Sequence, residues 1–290
     1  MAAGDKNNPY IAGMSYNSAR DELFLVDDKN KVVRTVRVRD NAGDLRDVYR
    51  APQDSLPYIH SVCHMSDSDT LLVCSGELGP DRNYANWLVA LSRNGSEWRE
   101  AQRVQTDGMG QISCALSDSR VLIGDWESTM YEYMELFRVE SGPRIARVHR
   151  IHMPEECYTF SATCGSDTLV AMTFSKYPDT VGGSFGKSVY RNTVRVHRLH
   201  GDRLEELARI QLKWPHRLLW LADRLLVADF DREKQSHAVI ELEVIDMRLE
   251  RCRELIATSE KIDVHRFCEV NDGLAILNWN SRDILHYSFV

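Results

Sequence analysis

The sequence lacks any long apolar run. No stretch approaches the roughly 20 residues that a helix needs to cross a bilayer, and the opening MAAGDKNNP has no apolar segment of the signal-peptide kind. The seven cysteines include no C-x-x-C pair. An odd number of cysteines scattered among apolar residues favours free thiols over a disulfide framework. These absences predict a cytoplasmic protein without membrane contact.

Positive charge is in the minority, with 36 Lys and Arg against 43 Asp and Glu and a formal net charge of −7. Nucleic-acid binders gain affinity mainly by neutralising phosphates, so we expect nucleic acid not to be the partner. Arginines do recur on predicted outer strands, where alternation points them to solvent: Arg34, Arg37, Arg39, Arg50, Arg144, Arg147 and Arg150. A local basic patch therefore remains open.

A convincing long helix is also missing, and a repeat takes its place. Six short apolar runs start at intervals of 48, 50, 48, 56 and 49 residues. The runs are LFLVD from Leu23, LLVCS from Leu71, VLIGD from Val121, LVAMT from Leu169, LLVAD from Leu225 and LAILN from Leu274. Such a period is the signature of a repeat architecture.

Each run has further strand-like segments around it. An apolar stretch and a polar turn precede it, and alternating segments such as VVRTVRV and TVRVHRL follow. The helix-like stretch Leu204 to Leu212 occupies the place of a fourth strand. We predict an all-β, six-bladed β-propeller with four antiparallel strands per blade. It forms one domain over 1–290, with blades near 10–57, 58–108, 109–155, 156–214, 215–260 and 261–290.

The first repeat resembles a known family. Residues Asp21 to Arg34, DELFLVDDKNKVVR, look like the NHL repeat, in which an apolar strand ends in Asp and an Asn-bearing turn leads to a Val-Arg strand. Val121 to Asp125 and Leu225 to Asp229 resemble its first half. The strand order is also similar to that of WD40 repeats, although no blade carries the Trp-Asp dipeptide. The resemblance implies a propeller of the NHL or WD40 type.

Two catalytic signatures overlap in TVGGSFGKS, residues 180 to 188. Gly182 to Gly186 fits the G-x-S-x-G elbow, which requires a helix after Ser184, but the alternating SVYRNTVRVHRL follows instead. A phosphate-binding loop requires glycine where Val181 stands. We therefore expect no catalytic serine, and we interpret Phe174 to Asn192 as an exposed, mobile loop.

Aromatic residues concentrate on one predicted face of the propeller. This face carries the connections from second to third strand and the links between blades. We predict that it binds a protein or peptide, because aromatic side chains dominate binding hot spots. Each ring could instead wedge between blades. The proposed contacts are Trp126, Phe174, Phe230, Trp279, Tyr58, Tyr84, Tyr158 and Trp214.

Polar residues end equivalent second strands: Asp27, Asp125, Asp229 and Asn278, with Ser75 and Thr173 completing the ring. We expect the acids to accept backbone N–H bonds and not to bind a metal. The alternative is a carboxylate ring that holds Ca²⁺. Six-bladed lactonases place a catalytic metal at this position, and this alternative would use Asp27, Asp125, Asp229 and Asn278.

Cysteines also share a column. Cys63, Cys114 and Cys268 each lie three residues before a turn, and Cys164 is one position off. We interpret them as small packing residues of the innermost strands. Four thiolates spread over blades 2, 3, 4 and 6 are not expected to converge at zinc-binding distances.

The sixth repeat ends at its third strand, so we predict a three-stranded last blade with Ile284 to Val290 as an uncovered edge. Such an edge favours self-association. The function predicted overall is a non-catalytic interaction module without a cofactor. The alternatives are a Ca²⁺-dependent lactonase-type hydrolase and an RNA-binding domain of the NHL type.

Overall fold

In a computed structural model, residues 11–38, 45–52, 58–76, 86–108, 112–116, 119–124, 133–140, 142–153, 161–166, 168–176, 191–231, 233–245, 248–258, 264–278 and 283–288 are described. Within these ranges the chain forms 23 strands and no helix. The strands make six antiparallel sheets of consecutive strands, five with four strands and one with three. The sheets are the six blades of a β-propeller, as predicted.

The first three blades follow one another along the chain. Blade 1 contains β1 (Ile11–Asn17), β2 (Glu22–Asp27), β3 (Val32–Arg37) and β4 (Arg46–Arg50). Blade 2 contains β5 (Ile59–Met65), β6 (Thr70–Ser75), β7 (Asn86–Asn94) and β8 (Glu97–Thr106). Blade 3 contains β9 (Ile112–Ala115), β10 (Arg120–Gly124), β11 (Tyr133–Glu140) and β12 (Arg144–His152).

The remaining blades repeat the arrangement, except that the last has three strands. Blade 4 contains β13 (Ala162–Cys164), β14 (Leu169–Lys176), β15 (Arg191–His200) and β16 (Arg203–Gln211). Blade 5 contains β17 (Pro215–Leu221), β18 (Arg224–Asp231), β19 (Ser236–Ile245) and β20 (Arg248–Thr258). Blade 6 contains β21 (Val264–Val270), β22 (Gly273–Asn278) and β23 (Ile284–Ser288).

All six apolar runs, apart from Asp125 outside the described residues, lie in the second strand of a blade. That strand is flanked on both sides by hydrogen-bonded neighbours and covered on both faces by adjacent blades, so apolar residues are favoured at every position. Six apolar clusters result, one between each pair of neighbouring blades. Between blades 1 and 2, for example, Phe24 packs with Leu71 and Trp98. Burial between blades therefore holds the ring together.

The outermost strands alternate between packing and solvent. In β12, Ile145 and Ile151 are buried while Arg144 and Arg150 are exposed. The helix-like stretch from Leu204 forms β16, in line with its place in the repeat. The Asn94-Gly95 turn joins β7 to β8, with Gly95 at φ 65°, in the left-handed conformation that glycine adopts readily.

Blade 6 closes the ring on blade 1 by side-chain contacts. Arg266 Nε donates to the carbonyl of Ala12 at 2.7 Å, and Asn271 Nδ2 donates to Asp21 at 3.3 Å. The edge strand β23 lies outermost, with Tyr287 donating to the carbonyl of Leu255 in blade 5. Its self-association stays a prediction. Residues 1–10 and 289–290 lie outside the described ranges.

One predicted boundary is wrong. Phe174 to Asn192 was expected to form a loop, but β14 extends to Lys176 and β15 begins at Arg191, with Phe174 paired to Thr193. The extension follows from packing, because the Phe174 ring contacts Arg195 and His197 inside the blade. The predicted mobility of the connection concerns residues 177–190, including Ser184, which lie outside the described residues.

Candidate interaction surface

We call the upper face the side on which second strands end and links enter the next blade. The opposite side, which carries the turns from first to second strand, is the lower face. Four of the predicted contacts lie outside the described residues: Tyr84, Trp126, Tyr158 and Trp279. The other four are described, and they divide into exposed, half-buried and buried rings.

Tyr58 is the most accessible of them. It lies on the link between blades 1 and 2, and 44% of its surface is exposed. Its ring stacks on His60 with centroids 6.2 Å apart, and the Lys31 ammonium lies 5.9 Å from the ring centroid. The link is held by Asp28, whose Oδ1 accepts the Ile59 backbone N–H at 3.2 Å. Tyr58 is thus an exposed aromatic ring on an anchored backbone.

Trp214 and Phe230 form a half-buried pair at the top of blade 5. Their ring centroids lie 6.0 Å apart, and the Phe230 ring also contacts His237 at 4.5 Å. The backbones are joined as well, because the Phe230 N–H donates to the Trp214 carbonyl at 3.1 Å. The pair therefore offers apolar surface to solvent from a fixed position.

A cavity of about 330 Å³ in the same blade is lined by Lys213, Asp229 and Asp231, the chain neighbours of these two residues. Its charged side chains are of both signs, with Lys213, Lys234 and Arg251 set against Asp229, Asp231 and Glu254. A site of mixed charge suits a ligand that carries both signs and many hydrogen-bonding groups. A peptide has these properties, whereas a simple anion or cation meets like charges here.

Phe174 lies inside the protein and offers no surface to a partner. Only 1% of it is exposed, with the Arg195 guanidinium 4.5 Å from its ring centroid and His197 at 5.6 Å. The expectation of an exposed ring is therefore corrected at this position. Desolvation of the imidazole lowers the pKa of His197 to about 4, and the nearby Arg195 and Arg209 charges act in the same direction.

Asp27 caps the turn that follows its strand. Its Oδ1 accepts the Asn30 backbone N–H at 3.1 Å, and Oδ2 accepts from the Asn30 amide at 2.7 Å. The same Oδ2 lies 3.2 Å from Arg34 Nη1. Both oxygens of this fully buried carboxylate thus have partners within the NHL-like segment.

Asp229 and Thr173 share another role, for which the sequence carries no signal. Asp229 accepts the backbone N–H groups of Trp214 at 2.6 Å and Lys213 at 3.3 Å, and Thr173 Oγ1 accepts that of Ser161 at 3.0 Å. These donors belong to the link entering the same blade and not to the following turn. Burial raises the pKa of Asp229, and the two N–H bonds oppose that shift.

The ring of strand-end residues supplies little for a metal. Asp27 and Asp229 are engaged as described, Asn278 is buried, and Asp125 lies outside the described residues. Among the described His, Cys, Asp and Glu residues, the trio whose ligand atoms lie within 4.8 Å of one another is Glu241, Glu243 and Cys252. It stands on outer strands of blade 5, where Glu241 already pairs with Arg224 and Arg253.

The described arginines of the predicted basic pattern are largely paired with acids. Arg34 and Arg50 contact Asp47 at 3.2 and 2.7 Å. In blade 3, Arg150 contacts Asp107 at 2.6 Å, and Arg147 contacts the buried Glu135 at 2.7 Å. Burial raises the pKa of Glu135 to about 7, while the Asp107 N–H and Arg147 oppose the shift. Pairing of this kind leaves less charge for phosphates.

A second cavity, of about 530 Å³, lies in the central channel towards the lower face. First strands of all six blades line it, and they contribute Cys63, Cys114, Cys164 and Cys268. Among the described residues these four thiols do not form a zinc-type cluster, but two of them lie close together. Cys114 Sγ and Cys164 Sγ lie 2.7 Å apart, because the innermost strands of adjacent blades approach closely near the axis.

Comparison with solved structures places the chain in a class. Kuenenia stuttgartiensis hydrazine synthase is similar in structure, with a TM-score of 0.65 at 11% identity. The match covers 96% of this chain and 83% of that chain. A proposed 6-phosphogluconolactonase from Bacteroides uniformis gives a TM-score of 0.62 at 10% identity, with 97% of this chain and 81% of that chain covered. A chain of the nidogen/laminin complex gives a TM-score of 0.55 at 10% identity, with 86% of this chain and 80% of that chain covered.

These likenesses show the fold: the chain is a six-bladed β-propeller. At such low identity they carry no function. No protein-family model matches the chain, and no curated protein matches it. In the part of the chain that the structure describes, no helix has the length and apolarity to cross a membrane.

Proposed function

We propose that this propeller is a non-catalytic module of the cytoplasm that binds a protein or peptide through its upper face. The observation that carries the proposal is the half-exposed Trp214–Phe230 pair at the top of blade 5, in the same blade as the 330 Å³ cavity lined by Lys213, Asp229 and Asp231. Half-exposed aromatic rings supply large contact area at low conformational cost. Tyr58 is a further exposed ring of the same face, on the link between blades 1 and 2.

The chemistry of the blade 5 cavity favours a peptide over the alternatives. Basic and acidic side chains line it together, so a segment with both charges and free main-chain groups is complementary to it. The lactonase-type hydrolase has less support, because the oxygens of Asp27 and Asp229 accept hydrogen bonds from the protein itself. RNA binding has less support because Arg34, Arg147 and Arg150 are paired with acids.

The test is selection of peptides from a random display library with the full chain, followed by calorimetric titration of the selected peptide. We expect Trp214→Ala to weaken binding by about 2 kcal/mol or more, as truncation of a hot-spot aromatic does. Ile245→Ala is the matched control, because Ile245 is 41% exposed at the opposite, lower end of the same blade. Its affinity should equal that of the unchanged protein.

Two results would contradict the proposal. One is a selected peptide that binds Trp214→Ala and Tyr58→Ala as tightly as the unchanged chain. The other is a rise in melting temperature with Ca²⁺ that EDTA reverses and that Asp229→Asn abolishes. Since a ligand of the native state raises its stability, that rise would favour the metal-dependent alternative.

A further inference from the structure

The channel cysteines differ in their surroundings. Cys63, Cys114, Cys164 and Cys268 all line the 530 Å³ cavity. Burial raises the pKa of Cys268 to about 12, with Glu269 as the further contribution. Burial likewise raises the pKa of Cys63 to about 12, but there the Cys114 and Cys74 thiols add to the effect. Three of the four cavity thiols thus belong to one group, and Cys268 stands apart.

Within that group, one pair is placed for bond formation. Cys114 lies on β9 and Cys164 ends β13, the innermost strands of blades 3 and 4, which belong to different sheets. Their Sγ atoms are 2.7 Å apart. A disulfide bond is about 2.05 Å long, so a movement of well under about 1 Å would complete it.

A shared zinc ion fits this pair less well. Two thiolates bound at about 2.3 Å to a tetrahedral zinc ion lie about 3.8 Å from each other. The observed separation of 2.7 Å is much shorter than that. In addition, Cys63, Cys114 and Cys164 do not form a trio of ligand atoms within 4.8 Å among the described residues. The geometry favours a covalent bond between sulfurs over a metal site.

We propose that Cys114 and Cys164 form a reversible disulfide that joins blades 3 and 4 at the wall of the central cavity. The oxidant is a small peroxide, such as hydrogen peroxide. One thiolate attacks the peroxide oxygen, which gives a sulfenic acid and, after protonation, water. The second thiol then attacks the sulfenic sulfur and displaces a second water. The two sulfurs lose two electrons in total and the peroxide gains them.

The position of the pair sets how fast this happens. The cavity admits a molecule of this size, and Cys164 is only half-buried where it lines the wall. Burial and the hydrogen bond with Cys114 raise the pKa of Cys164 well above its usual value, which keeps the reactive thiolate scarce. Oxidation is therefore slow, and a small thiol reverses it by exchange.

The test uses the full chain with Cys252→Ser, because Cys252 is exposed and would form disulfides between molecules. After treatment with hydrogen peroxide, free thiols are counted by alkylation under denaturing conditions. Six cysteines remain in this background, and the count should fall by two and return with dithiothreitol. Chymotryptic cleavage at Tyr158 and Phe160 separates Cys157 from Cys164, so mapping without reductant should recover Cys114 linked to Cys164.

Matched variants complete the test. Cys268→Ser removes a cavity thiol outside the group and should leave the loss of two thiols unchanged. Cys114→Ser and Cys164→Ser should each abolish it. The proposal is overturned if the thiol count stays constant, if Cys114 and Cys164 are recovered as separate sulfinic acids, or if a disulfide forms elsewhere. Stoichiometric zinc that protects both thiols from alkylation would also overturn it, in favour of a metal site.

Discussion

The upper ends of blades 4 and 5 share a sequence pattern but differ in the burial of its phenylalanine. Thr173-Phe174 and Asp229-Phe230 occupy equivalent positions, and in both blades the first residue accepts a backbone N–H from the link entering that blade. Phe174, however, is buried under Arg195 and against His197. Phe230 packs against Trp214 of the link and is half-exposed.

The difference shows that the repeat sets a residue's position, while its exposure depends on neighbours from other strands. In blade 4 the third strand supplies two long polar side chains that cover the ring. In blade 5 the corresponding contact is His237, and the link contributes a tryptophan. An aromatic residue after the second strand is thus a core residue in one blade and part of a surface in the next.

The largest difference between blades 4 and 5 is expected when each of the two phenylalanines is replaced by alanine. Phe174→Ala should lower the free energy of unfolding by about 4 kcal/mol, since a large buried ring leaves a cavity. Phe230→Ala should cost only about 1 kcal/mol, because much of its ring area is already in water. Urea unfolding measures both. Equal losses would show that the two rings are buried alike.

Low pH should lower the free energy of unfolding through His197, the buried histidine of blade 4 that contacts Phe174. Its folded-state pKa is lowered to about 4 from an ordinary value of 6.5, so below pH 6.5 the unfolded chain takes up a proton that the folded chain does not. This contribution to stability is complete above pH 6.5 and is lost as the pH falls towards 4, by about 3 kcal/mol in all. His197→Phe should flatten the profile between these values, and an unchanged slope would contradict the assignment.

Removing the carboxylate of Asp229 should destabilise the link that enters blade 5 at Lys213 and Trp214. Asp229→Asn keeps the shape but weakens the bonds from Lys213 and Trp214, at an expected cost of about 1.5 kcal/mol. Amide hydrogen exchange in the peptide that contains Trp214 should quicken more than exchange elsewhere. Faster exchange across the whole blade would show a global loss of stability instead.

The smallest effect is expected at Thr173. Thr173→Val leaves the Ser161 N–H without its side-chain acceptor and should cost about 1 kcal/mol. Thr173→Ser keeps the hydroxyl and serves as the control, with the loss of one methyl group only. If the two variants unfold at the same urea concentration, the hydroxyl is not what holds the blade 4 link.

The fold could be predicted from the sequence because its cause is local and repeated. Runs such as Leu23 to Val26 are apolar at each position since both faces of the strand are covered, and the period of about 50 residues reports the blade directly. The three-stranded last blade followed from counting strands. Pairing of β16 with β15 overrode the helical propensity of Leu204 to Leu212.

The site could be predicted only in part. Asp27 takes its partners from its own turn, three and seven residues away, so its capping role was visible in the sequence. Asp229 takes its partners from a link 15 and 16 residues earlier, and Cys114 meets a thiol 50 residues away in another blade. Contacts of the second kind depend on how blades sit around the axis, which periodicity does not report.

Closure of the ring by side chains has a consequence for the order of folding. Every backbone pairing in the described sheets joins strands adjacent in the chain, so each blade can form from one continuous segment. The contacts of Arg266 with Ala12 and of Asn271 with Asp21 span 254 and 250 residues instead. Closing so long a segment carries the greatest entropic cost. We therefore expect blades to assemble as an open arc, with the meeting of blades 6 and 1 as the final, rate-limiting event.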